Sequence, residues 1–266
     1  MEARAITRSR SRAPRAEDRS NASALPHVFK SVAIDDLPLP VINLLNAIGV
    51  PWPYLNEDTI SEFASLVREF RSSIEGVHTE SSAAVAAITR AHQAVSTEAM
   101  QSGWTSLTER HISELTAGCD VLADALDVAA GYIVAQKAEA IGVLAGLAAA
   151  FVADQAASIV TFGLAEAAVP ALVAGAEAVV RSLAADIEQY IIGTVVTAAA
   201  HPLFAKVEDA LSGLDWSRSG ASAGPPVSVI LDPPSVRAET AALRGHAASL
   251  QTHAVAFQQG VQGLNF

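Results

Sequence analysis

Two long apolar stripes flank the pair Gly103-Trp104, and that arrangement confines most of the chain to paired helices. Upstream, Ile60, Phe63, Leu66, Val67, Phe70, Ile74 and Val77 recur at spacings of three and four, and Val85, Ile88, Ala91 and Val95 continue the series. Downstream, Leu107, Ile112, Leu115, Cys119, Leu122, Leu126, Ala129 and Ile133 resume it. Each series puts apolar groups on one helical face. A glycine and a bulky aromatic between two such helices predict the elbow of an antiparallel hairpin.

Composition supports an all-α fold. Half of the 266 residues are apolar but only 5% are aromatic, so Ala, Val, Leu and Ile dominate. Alanine favours helices and lets backbones approach closely. The net charge of −11 speaks against nucleic acid as a partner. The first twenty residues differ, with six arginines against three acids, a balance of +3 that leaves −14 for the rest. No apolar core and cleavage site follow those arginines, so any export uses a route that needs no signal peptide. The single cysteine, Cys119, excludes an internal disulfide and lies on the apolar stripe, where it reads as a small buried hydrophobe.

Along the chain, residues 1–25 read as a disordered basic terminus and 26–56 as a segment with one short helix. Pro51-Trp52-Pro53 stops that helix, and Thr59-x-x-Glu62 reads as a capping box opening the next. Residues 57–139 form the hairpin and 140–216 an Ala-rich helical region. Its uncharged runs, 140–153, 155–165, 167–176 and 189–205, are shorter than the roughly eighteen residues of a spanning helix. They read as core helices, or as helices that enter a bilayer conditionally. Gly142-x-x-x-Gly146 suits either. Residues 217–234, with Ser, Gly, Ala and two Pro-Pro pairs, form a linker. Residues 235–266 form the last amphipathic helix, where Val236, Leu243, Leu250 and Phe257 recur every seventh position. That seam must fold back on the body or meet another chain. The expected architecture is an elongated antiparallel hairpin with its elbow near Trp104, extended by an Ala-rich bundle and a C-terminal heptad helix.

Reaction chemistry is absent from the sequence pattern. The seven histidines show no zinc-binding spacing, and His111-x-x-Glu114 lacks the second such pair that a bundle di-metal site needs. No nucleophile elbow and no phosphate-cradling glycine loop occur. Asp120, Asp124 and Asp127 read as a solvated face, and His246 and His253 as solvated or interface residues beside the last seam. No enzyme, cofactor or metal is expected.

The residues around 50–140 resemble the WXG-type helical hairpins of type VII (ESX-like) secretion systems. More closely, they resemble the WXG-like amino-terminal modules of actinobacterial polymorphic toxins. The resemblance rests on Trp52-Pro53 followed by Asn56-Glu57-Asp58, the helix around Phe63 to Phe70, Gly103-Trp104, and a second helix ending near Gln136-Lys137-Ala138-Glu139. Leu231-Asp232-Pro233-Pro234 to Gly263-Leu264-Asn265-Phe266 also looks like the opening helix of such a hairpin. Ser106 stands where the family elbow carries glycine. The resemblance implies a non-enzymatic module for export and partner recognition, secreted without a signal peptide or cytoplasmic before export. Its implied partner is helical: another WXG-type chain, a toxin, the secretion apparatus or a second copy. The alternative is a membrane-inserting or pore-forming protein that touches lipid through 140–200. The interaction residues expected are Trp104, Gly103, Trp52, Val236, Leu243, Leu250 and Phe257, with Trp104 either anchoring a partner or closing its own hairpin. Tyr54-x-x-x-Asp58 matches the spacing of the family's export signal, although Tyr54 also suits a packing position beside Trp52.

Overall fold

A helix of 67 residues organises the fold. In the computed structural model, which describes residues 37–161, 169–212 and 230–264, this helix (α3, Val95–Thr161) is the axis on which every other helix but the last packs. At 1.5 Å per residue it is about 100 Å long. It is preceded by α1 (Leu39–Ile48), α2 (Glu57–Ala91) and the two-residue strand β1 (His92–Gln93). It is followed by α4 (Val169–Tyr190), a π-helical segment (Ile191–Ala200), α5 (His201–Ser212), the two-residue strand β2 (Ile230–Leu231) and α6 (Pro233–Gly263). The basic N-terminus and most of the expected linker lie outside the described residues.

The hairpin is present, but its turn is not at Trp104. The chain reverses at His92–Ala94, and Gly103 and Trp104 lie inside α3. A glycine within a helix costs only about 1 kcal/mol relative to alanine, too little to break one with this much packed surface. Polar groups fix the turn instead. The buried Thr97 hydroxyl accepts from the Ala94 N–H at 3.1 Å and reaches the His92 carbonyl at 2.6 Å. β1 pairs antiparallel with β2, His92 opposite Leu231 and Gln93 opposite Ile230, which ties the start of α6 to the turn.

The opening of α2 also differs from expectation. Asn56, not Thr59, is its cap: Asn56 Oδ1 accepts from the backbone N–H groups of Asp58 and Thr59 at 3.1 and 3.3 Å. That arrangement satisfies donors the first helical turn leaves open. α1 ends at Gly49, whose φ of 71° is the left-handed conformation glycine adopts without a Cβ clash.

Packing follows the sequence periods. Ile60, Ala64, Val67, Ile74, Ser81, Val85 and Ile88 are buried along α2. Cys119, Leu122, Leu126, Ala129, Ile133, Ala140, Leu144 and Ala148 are buried along α3. α4, the π-helical segment and α5 run back along α3: Tyr190 stacks on Tyr132 with ring centroids 3.9 Å apart, and Leu203 lies over Gly118. The expected boundary at 139/140 falls inside α3: residues 140–161 continue that helix, and α4, the π-helical segment and α5 fold back over it. Among the described residues, nothing lies within 4 Å of a Cβ placed at Gly142 or Gly146.

Candidate partner-binding surface

Three polar arrangements hold the hairpin together, and two were not foreseen. Lys137 is fully buried in the α3 seam between Ile133 and Ala140. Its Nζ lies 2.7 Å from Glu57 Oε2 and donates to the Leu55 carbonyl. The pair joins the first residue of α2 to the middle of α3. A charge on an apolar stripe was the signal for this pair, because a buried ammonium requires an anion beside it. Trp52 is 5% exposed, so it serves the core rather than an outer surface.

Farther along, Arg68 NH2 lies 2.9 Å from Asp124 and 2.7 Å from Asp127, and Arg71 Nε lies 3.0 Å from Asp120. The three aspartates are thus a ladder of ion pairs across the hairpin, not a free solvated face. Hydrogen bonds to Asp127, then Asp124, raise the Arg68 guanidinium above its ordinary value and keep it charged. Burial, and secondarily Asp120, pushes the Cys119 thiol up, which favours its neutral form.

Trp104 is half-buried and closes its own hairpin. Its Nε1 donates to Ser82 Oγ of α2 at 3.0 Å, and its ring lies nearly parallel to His78 at 6.5 Å. Ser82 Oγ also lies 3.4 Å from His78 Nε2. A shallow groove between the helices is lined by His78, Ser82, Gln101, Trp104 and Thr108. Gly103 beside it is exposed. Tyr54 is 79% exposed, which corrects its expected packing role. Asp58 lies in the first turn of α2, so the Tyr54-x-x-x-Asp58 spacing leads into a helix.

The C-terminal seam folds back. α6 packs against α2, starting at the turn and running toward the start of α2. His246 Nδ1 lies 3.1 Å from Glu80, Phe257 stacks on Phe70 with centroids 4.7 Å apart, and Gly260 abuts Leu66. Val236, Leu243 and Phe257 are half-buried, whereas Leu250 is 40% exposed.

A family model described as a WXG100-like domain matches residues 33–187, more than half of the chain. The chain belongs to the WXG100-like family. The matched range takes in α1, α2, α3 and nearly all of α4. Membership makes it a helical protein related to type VII secretion, a family associated with export that uses no signal peptide. WXG100 proteins typically pair with helical partners or dimerise. Comparisons with curated proteins and with solved structures gave no match.

Proposed function

We infer that this chain is a non-enzymatic export and partner-recognition module of the type VII kind, associated with an actinobacterial polymorphic toxin. The observation that carries this reading is the WXG100-like match spanning a hairpin closed by Trp104. The use of charged groups supports it. Arg68, Arg71 and Lys137 all serve to join α2 to α3. Exposed Tyr54, four residues before Asp58, is the proposed export signal. The test is co-expression with the helical or toxin-domain product of a neighbouring reading frame. Co-purification through size exclusion is expected; two independent peaks for every neighbour would overturn the pairing.

One observation favours a second reading, insertion into a bilayer. When one or two charges are allowed, Ser96–Gln155 and Val169–Glu208 each contain a stretch long and apolar enough to span. Those stretches are only 28% and 17% buried. Val121, Val128, Val143, Ile192 and Phe204 are exposed along them. Leakage of dye from anionic liposomes on adding purified protein would support insertion, and retained dye would exclude it.

A further inference from the structure

The apolar stripe of α2 is too wide for one neighbour. Ile60, Val67 and Ile74 are buried in the face packed on α3, while Leu66, Phe70 and Glu80 meet α6. The two contacts differ in quality. α3 holds its face with a deep core and a buried ion pair, but no residue of α6 is buried. The α6 seam also fits incompletely, as exposed Leu250 at its middle shows. Residues 217–234, which lead into α6, have the Ser, Gly, Ala and Pro composition of a linker.

We propose that the Leu66–Phe70–Glu80 face of α2 is a docking site for an amphipathic helix from a partner chain, and that α6 occupies it until displaced. This rests on the reading above, which requires a helical partner but does not place it. α6 itself sets the chemistry of that partner. An aromatic ring must lie on Phe70, as Phe257 does at 4.7 Å. A small residue three positions later fits best, because a Cβ at Gly260 would lie 2.9 Å from Leu66 Cδ2 and push that side chain aside. An imidazole or cationic group eleven positions before the aromatic must meet Glu80, as His246 does. A tethered helix competes at an effective concentration of roughly millimolar, so displacement needs a better fit rather than mere presence.

The test uses the full chain in a Cys119→Ala background and a fluorescent peptide of residues 233–264 as the probe. Phe257→Ala weakens α6 in place, and the peptide should then bind about tenfold more tightly than to the parent chain. Gly260→Ala, which presses on Leu66, should act in the same direction and covers the case in which Phe257→Ala disturbs folding. Joining Glu80→Cys to His246→Cys with a bismaleimide should abolish peptide binding. Equal binding to joined and unjoined chains, or no gain in either weakened variant, overturns the proposal. Export is read separately. Normal export without peptide exchange would remove only the docking face, and exchange without export would remove only the function proposed above.

Discussion

Lys137 of α3 and Glu57 of α2 meet at 2.7 Å with neither side chain open to solvent. Removing one partner strands the other charge in the core, a loss of about 3–5 kcal/mol. Lys137→Met should therefore lower the unfolding free energy by that order in urea denaturation. Adding Glu57→Leu should recover most of the loss, since two well-packed apolar residues carry no stranded charge. An unchanged midpoint for Lys137→Met would show that the pair does not hold the hairpin base.

Trp104→Phe should cost about 1 kcal/mol, the net value of its hydrogen bond to Ser82. Helix content by circular dichroism should not change, because the residue lies within α3 and does not form the turn. Hydrogen exchange should rise around Ser82 and Trp104 while residues near Leu126 stay protected. A large loss of helix would instead place the turn at this tryptophan.

The exposed ladder behaves differently. Arg68 and its two aspartates are all more than a third exposed, so Arg68→Ala should cost under about 1 kcal/mol and less in high salt. Equal losses for Arg68→Ala and Lys137→Met would contradict the contrast drawn between surface and buried pairs.

Cys119 should resist alkylation in the native state, with labelling governed by unfolding rather than by exposure of the thiol. The pH dependence follows from burial, which raises its ionisation above the ordinary 9.0. Below that value both states keep the proton and the thiol contributes nothing. Above it the unfolded chain releases a proton that the folded chain retains, so stability falls as pH rises. Cys119→Ala should flatten this alkaline slope in denaturation measured from pH 8 to 10.

Tyr54→Ala should leave thermal stability unchanged, since the side chain is 79% exposed, while sharply lowering export. Equal export with equal stability would make Tyr54 an ordinary surface residue.

Periodicity made the helices legible. The spacing of Ile60, Val67 and Ile74, and of Cys119, Leu126 and Ile133, identified the faces that pair. The turn was not legible, because His92-Gln93-Ala94 carries no glycine or proline and is fixed by Thr97 and by a strand from far along the chain. Gly103-Trp104 drew the reading instead, though a long packed helix tolerates one glycine. The two neighbours of α2 were hidden for a related reason: a stripe wide enough for both looks like one generous face. Lys137 carried a readable signal, a charge on an apolar seam, but its partner at Glu57 is known only once the helices are aligned. The aspartates at 120, 124 and 127 needed Arg68 and Arg71 opposite them before they became a ladder.

The most direct test is to quantify this chain in culture filtrate from cells with and without a working type VII apparatus, with a cytoplasmic marker to correct for lysis. The account predicts chain in the filtrate of intact cells and, after deletion of the apparatus, retention inside the cells. Equal extracellular amounts in both strains would contradict it.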